Sequence, residues 1–192
     1  MRTTAIVLAA GAGTRMGGRN KALLTVDQQT FIARVVDTAR RSGIANVIVV
    51  LGHGADEVER ALEDAADVTI VVNPEPARGQ LSSLKVGLRE AGECDGVLAW
   101  PVDHPLVRES TVETVLSAAA RHPGKAIVPR FEGRGGHPTF FPRTLFAGLL
   151  SLPDDVGARG LFERHPEAVL RIDVEDPGVR HDVDTPEDYA KI

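Results

Sequence analysis

Near the start of the chain an apolar run is followed by four glycines with two cations among and after them. The run is Ala5 to Ala10, the glycines are Gly11, Gly13, Gly17 and Gly18, and the cations are Arg15 and Lys21. Such a run is long enough for one buried strand. Glycines directly after a strand let the backbone take positive φ and come close to a ligand. Successive N–H groups in such a loop can cradle an anion, which makes Gly11 and Gly13 candidate phosphate contacts. Arg15 and Lys21 would add the charge that several phosphate oxygens require. A plain structural turn is the other reading of the same glycines. Two familiar phosphate loops do not fit. The dinucleotide pattern G-x-G-x-x-G needs a third glycine where Met16 stands. Gly13 and Gly18 have the P-loop spacing, but Arg19 and Asn20 follow where Lys and Ser or Thr are required.

Three later segments also carry groups able to do chemistry. Pro101-Val102-Asp103-His104-Pro105 follows an apolar run from Gly96 to Trp100. Prolines on both sides of Asp103 stop the strand and fix the turn. In open α/β sheets ligands sit beyond the carboxyl ends of strands, where both Asp103 and the opening loop would lie. In the loop Asn73 to Gly79 and the helix that starts at Gln80, Ser82 and Ser83 fall in the first turn. They serve either as an N-cap or as hydroxyls facing a nucleotide beside the helix N–H groups. The block Arg130 to Phe141 is rich in glycine and predicts a hairpin or wide loop. It is either a surface turn with an exposed His137 or a wall of an acceptor pocket, with Arg134 and His137 facing an anionic group.

At the C-terminal end, Thr185, Pro186 and Asp188 make a capping-box pattern with proline at the first helical position. That accounts for those three residues but not for Asp182 or Asp184. Asp154 and Asp155 precede a Gly157-Ala158-Arg159 helix start and fit a cap as well as a substrate contact.

The elements that would position these groups alternate. Helical spacing covers Thr30 to Arg41, Ala55 to Ala65, the segment from Gln80, Ser110 to Ala120 and Pro142 to Leu152. Apolar, unalternating strands cover Asn46 to Leu51, Val68 to Val72, Gly96 to Trp100, Ala126 to Pro129 and Val169 to Val174. This order predicts a mostly parallel sheet with helices on both faces. A chain of 192 residues reads as a single domain over 1–192 with a core of its own. A net charge of -5 gives no general attraction to nucleic acid or an anionic membrane, so a polyanion must be held by a local cluster. The single Cys94 excludes an intramolecular disulfide and Cys-rich metal sites. The opening apolar run is too short and too interrupted for a signal peptide or membrane span, and a cytoplasmic protein is expected.

Leu8-Ala9-Ala10-Gly11-Ala12-Gly13-Thr14-Arg15-Met16-Gly17, with Lys21 after it, resembles the opening signature of nucleotidyltransferases with the sugar-nucleotide pyrophosphorylase fold. Within that superfamily the chain is most similar to the molybdenum cofactor cytidylyltransferases and their guanylyltransferase relatives. The resemblance implies an α/β, Rossmann-like three-layer sandwich of the nucleotide-diphospho-sugar transferase type. Its nucleotide-binding half would be about 1–105 and its acceptor-binding half about 106–192. It implies that Leu8, Ala9, Ala10, Gly11, Gly13, Arg15, Lys21, Asn73, Gly79, Ser82 and Ser83 bind nucleotide, and that the Gly-His-Pro element with Arg134 and His137 binds the acceptor. Asp103 resembles the family's magnesium aspartate, although Val102 stands where the molybdenum enzymes carry Gln or Gly. Asp184 is preferred to Asp182 as the second metal ligand. Mg²⁺ takes few carboxylates and fills its other positions with water and phosphate oxygens.

The implied reaction is transfer of CMP from CTP to the phosphate of molybdopterin, with pyrophosphate leaving. Arg15, Lys21 and Asp103 would be its catalytic residues. A molybdenum hydroxylase apoenzyme would receive the product, and neither nucleic acid nor membrane is a partner. Ala9-Ala10-Gly11 resembles the cytidylyl branch, because a methyl at Ala10 would crowd a purine more than a pyrimidine. The rivals are guanylyl transfer to the same cofactor, cytidylyl transfer to another small phosphate, and a non-catalytic pterin carrier.

Overall fold

The computed structural model describes residues 1–11, 13, 16–52, 55–62 and 68–192. Ala12, Thr14, Arg15, His53, Gly54 and the expected helix end at Ala65 lie outside the described residues.

Strand β1 (Thr3–Ala9) is the expected opening strand. Its side chains alternate between two cores: Ala5, Val7 and Ala9 enter one, Ile6 and Leu8 the other. A strand that is apolar on both faces must lie inside a sheet covered by helices on both sides. A small separate hairpin follows, β2 (Thr25–Val26) with β3 (Gln29–Thr30). Its turn residues Asp27 and Gln28 have φ of 49° and 64°, as a two-residue turn between twisted strands requires. Next comes helix α1 (Phe31–Arg41), whose N-terminus is capped by Thr30 Oγ1 accepting from the Ala33 N–H at 3.3 Å. Phe31, Ile32, Val35, Val36 and Ala39 face inward at the predicted spacing.

The alternation continues with β4 (Asn46–Leu51), α2 (Ala55–Ala61), β5 (Val68–Val72), α3 (Gln80–Glu90), β6 (Gly96–Pro101) and α4 (Glu109–Arg121). The last stretch holds β7 (Ala126–Phe131), β8 (Arg134–Gly135), β9 (Thr139–Pro142), α5 (Phe146–Ser151), α6 (Arg159–Arg164), β10 (Val169–Asp173) and α7 (Pro186–Tyr189). The main path of the sheet runs β10-β7-β9-β6-β1-β4-β5, with β8 paired to β7. β6, β1, β4 and β5 pair in parallel, as do β7 and β10. Helices α1 and α4 cover one face, and α3 and α5 the other. The fold is thus the expected three-layer α/β sandwich with a mostly parallel sheet.

One strand departs from expectation. β9 inserts antiparallel between β6 and β7, although Pro142 was expected to open a helix. The helix begins instead at Phe146, after a 3₁₀ turn over Arg143–Leu145. The reason lies in Phe140 and Phe141, two consecutive aromatics that are both buried, one in each core. Only the alternation of a strand sends neighbouring side chains to opposite faces. Gly96 makes room for this pairing, since a Cβ there would sit 2.3 Å from the Phe140 ring.

Candidate active site

The strand ends at the carboxyl edge of β1 and β6 carry the candidate residues to one place. The loop after β1 is turned by Gly13, whose φ is +59° and whose C=O accepts from the N–H groups of Met16 (2.8 Å) and Gly18 (3.1 Å). A Cβ at Gly13 would lie 2.0 Å from the Arg19 carbonyl, so the closed turn excludes any larger residue. Asn20 then caps a 3₁₀ turn, Lys21–Leu23, by accepting from the Ala22 N–H, and this starts Lys21 at a defined point. At the end of β6, the Val102 N–H donates to the Leu8 C=O at 3.1 Å. The C-terminal segment closes over the same edge. Buried Val183 donates its N–H to the Asp103 C=O at 2.9 Å, and the observed capping box of Thr185 and Asp188 starts α7 immediately after it.

Lys21 lies at the centre of this arrangement. Its Nζ donates to Asp103 Oδ2 at 3.3 Å and also to Asp184 Oδ1. Two carboxylates separated by 81 residues therefore share one ammonium. Burial alone would raise the Asp103 pKa. The His104 hydrogen bond and charge, with Lys21, more than offset it and hold the carboxyl below the ordinary value. Asp103 is thus ionised at neutral pH.

Around this triad lies a cavity of about 350 Å³. Leu8, Ala9, Ala10, Gly11, Gly13, Lys21, Gly79, Ser83, Asp103 and Asp184 all line it. Arg15 lies outside the described residues. Two other candidates have different work. Asn73 is buried, and its Nδ2 donates to the Oγ atoms of Ser82 (2.9 Å) and Ser83 (3.0 Å), while its Oδ1 accepts from the Glu75 N–H (3.0 Å). Ser82 Oγ donates to the Gly79 C=O at 2.7 Å, which turns it back into the helix start. Ser83 only accepts from Asn73 among the described residues, and this leaves its hydroxyl proton for the cavity it lines. Asn73 and Ser82 therefore orient Ser83 and Gly79.

A larger cavity of about 900 Å³ adjoins the first and shares Leu8, Gly79, Gln80 and Pro101 with it. Arg134 and His137 both line it, as does Asp182. Its floor is apolar, with Leu81, Leu84, Val128, Phe141 and Phe162. Arg171 and Arg180 are cations there that sequence reasoning missed. No motif surrounds them, and only the pairing of β10 with β7 brings Arg171 opposite Val128. His137 is half-buried on the wall of this cavity and uncharged. Burial, together with the charge of His104, pushes its imidazole down to about 3, and Asp103 only partly opposes this. It offers the cavity a neutral ring rather than a counter-charge.

Neither Asp154 nor Asp155 caps the helix that starts at Arg159, whose N-cap is Ala158. Asp154 has other work. Its carboxylate takes Lys85 Nζ at 2.6 Å and Arg78 Nη2 at 2.7 Å, which ties α3 to the rim of the larger cavity. His104 was also missed, although it stands beside Asp103 in sequence. Its Nδ1 lies 3.1 Å from Asp103 Oδ1.

A cation held between two carboxylates, at the mouth of a glycine loop, has the donor chemistry of a magnesium site. Mg²⁺ binds through one or two carboxylates and completes its octahedron with water and phosphate oxygens. Among the described residues no group of three or more His, Cys, Asp or Glu could hold a metal. Asp103 and Asp184 fit the two-carboxylate pattern, whereas Asp182 lies on the other cavity.

Comparison with known proteins decides the family. The family described as the MobA-like NTP transferase domain matches residues 5–169. The chain belongs to this family. As a MobA-like NTP transferase it is a nucleotidyltransferase by family and fold. Nicotine blue oxidoreductase of Paenarthrobacter nicotinovorans is 31% identical over 197 residues, covering 98% of this chain and 95% of that protein. The crystal structure of Rv0371c from Mycobacterium tuberculosis H37Rv is 32% identical with a TM-score of 0.82, over 100% of this chain and 97% of the other. A complex of Rv0371C with manganese superposes with a TM-score of 0.74 at 28% identity, again over 100% and 97% of the two chains. No helix among the described residues is long and apolar enough to cross a membrane.

Proposed function

We propose that this MobA-like NTP transferase moves CMP from CTP to the phosphate of a molybdopterin-type acceptor and releases pyrophosphate. The observation that carries the reading is the shared ammonium of Lys21 between Asp103 and Asp184, on the wall of the smaller cavity, which shares Leu8, Gly79, Gln80 and Pro101 with the larger one. Both reactants are anions, so the site must neutralise charge and align them. Gly11, Gly13 and the backbone around them would receive the triphosphate, with Arg15 adding charge. Ser83 donates its hydroxyl proton to the nucleotide. Lys21 offsets the repulsion between the two carboxylates before the reactants arrive and then turns to the phosphates. Asp103 and Asp184 would hold Mg²⁺, which supplies Lewis acidity at the α-phosphate when bound. No general base is needed, because a phosphate nucleophile is already ionised at neutral pH.

The larger cavity suits an acceptor with an apolar ring system and anionic groups. Phe141 and Phe162 stack there at 5.7 Å between centroids, and Arg134, Arg171 and Arg180 stand on its wall. A molybdenum hydroxylase apoenzyme would take the product. The similarity to nicotine blue oxidoreductase along nearly the whole of both chains supports a second reading, an oxidoreductase activity.

Thermal stabilisation by CTP, GTP, ATP and UTP, each with Mg²⁺, separates these readings, because binding to the native state raises Tm with occupancy. CTP is expected to give the largest shift, and pyrophosphate release from CTP should require a molybdopterin acceptor. A GTP preference moves the protein to the guanylyl branch. No response to any triphosphate, or CTP binding without pyrophosphate release, overturns the transfer reading. Ala10 is 9% exposed and lines the nucleotide cavity. Ala10→Gly is expected to raise GTP use relative to CTP by about tenfold, the range one methyl-sized contact can discriminate. Equal ratios for the two proteins would remove Ala10 from base selection.

A further inference from the structure

Asp103 has two carboxylate oxygens, and each has a different partner. Oδ2 faces Lys21 at 3.3 Å, and Oδ1 lies 3.1 Å from His104 Nδ1. An ionised carboxylate only accepts hydrogen bonds, so the imidazole must carry its proton on Nδ1. The terminal torsion of an aspartate is broad, and without a fixed donor on Oδ1 the carboxylate plane would be free to turn. His104 is itself held from several directions. It is 7% exposed, its C=O accepts from Trp100 Nε1 at 3.1 Å, and its N–H donates to the Pro101 C=O at 3.2 Å. The ring of His137 meets it edge to face, with centroids 4.9 Å apart and planes at 86°. His137 is anchored in turn by its N–H on the Val179 C=O at 2.8 Å. Both imidazoles line the acceptor cavity, while Asp103 lines the nucleotide cavity.

We infer that His104 is a positioning residue: its Nδ1–H locks the Asp103 carboxylate with Oδ2 turned toward the nucleotide cavity, and His137 braces the ring that does so. This rests on the assignment of Asp103 as a metal ligand. A carboxylate presented in one orientation binds a divalent ion without first losing rotational freedom. Hydrogen-bond partners of ligating groups change metal affinity by about 10–100-fold in other metal sites. A purely structural His104 would instead serve only to fill the space beneath Trp100.

The test measures Mn²⁺ affinity of the nucleotide-free protein by electron paramagnetic resonance, together with Tm and steady-state pyrophosphate release. His104→Leu fills similar volume without a donor. His104→Asn places an amide N–H close to the position of Nδ1. His104→Gln places it further out. The expected result is Mn²⁺ affinity about tenfold or more weaker in His104→Leu and His104→Gln, restored within about threefold in His104→Asn. The KM for CTP should move less than kcat. Should His104→Leu fail to fold, the contrast between Asn and Gln carries the same decision. Equal Mn²⁺ affinity in all three variants and wild type would overturn the inference, and so would equal loss in Asn and Gln. Asp103→Ala is measured alongside. If it loses Mn²⁺ while His104→Leu does not, the positioning role alone fails. If Asp103→Ala binds Mn²⁺ like wild type, the metal assignment fails and the inference with it.

Discussion

Asp103→Ala is expected to fold normally and to lose pyrophosphate release by about 10³-fold or more, because it removes charge stabilisation at the reacting phosphate. The residue sits on a turn fixed by its backbone rather than by its side chain. Its C=O accepts from Val183, and the neighbouring Val102 N–H is held by Leu8. The loss should therefore fall on kcat, with the far-ultraviolet spectrum unchanged. Activity within threefold of wild type would remove Asp103 from the reaction. The pH behaviour follows from the same surroundings. The pKa of Asp103 is depressed in the folded protein. Any stability it adds is therefore present above the unfolded value of about 3.9 and is lost as pH falls through the lower folded value. No step in the rate profile between neutral pH and pH ~5 should be traceable to Asp103.

Lys21→Met has the second large effect, and it acts on stability as well as rate. The side chains of Lys21, Asp103 and Asp184 are 16%, 24% and 30% exposed, so their pairing is neither a free surface contact nor a fully buried one. Removing the ammonium takes away the cation that the two carboxylates share. A cost of about 1–3 kcal/mol is expected, between the values for exposed and buried pairs. Loss of the Lys21 charge raises the Asp103 pKa in the variant. Its deficit relative to wild type should then shrink as pH is lowered and one carboxylate takes a proton. Mg²⁺ or Mn²⁺ should restore more of the lost Tm in Lys21→Met than it adds to wild type, because the divalent ion takes over the position of the ammonium. Turnover should fall about 10²-fold, the scale for loss of one charged group at a reacting phosphate. An unchanged Tm in the metal-free variant, or an equal metal response in both proteins, would show that the three side chains do not act together.

These two residues differ in how far their roles can be read from the chain. The site of Asp103 was legible locally, since two prolines around one aspartate at the end of an apolar run fix a turn at a strand's carboxyl end. The position of Lys21 was legible, but its direction was not. Nothing near residue 21 in sequence indicates that its nearest carboxylates are at 103 and 184. Asp184 follows the same logic. The capping box of Thr185 and Asp188 is a local pattern and could be read directly. Whether Asp182 or Asp184 meets Asp103 depended on how Val183 docks, which is a contact across the whole domain.

Readable from the chain alone were the strand–loop–helix alternation, the two apolar faces of β1, β4 and β6, the inward stripe of α1 and the cap that starts α7. Each of these rests on the period of a single element or on neighbours within four residues. Tertiary contacts settled that Phe140 and Phe141 form an inserted antiparallel strand, that Asn73 holds Ser83 while Ser82 turns back to Gly79 rather than lining the cavity, that His137 is neutral and that His104 holds one carboxylate oxygen of Asp103. Phe140 pairs with Leu98 and His137 lies against His104, contacts made across the sheet rather than along the chain. Desolvation and Coulomb interactions depend on distance in space, and the order of residues along the chain does not contain that distance.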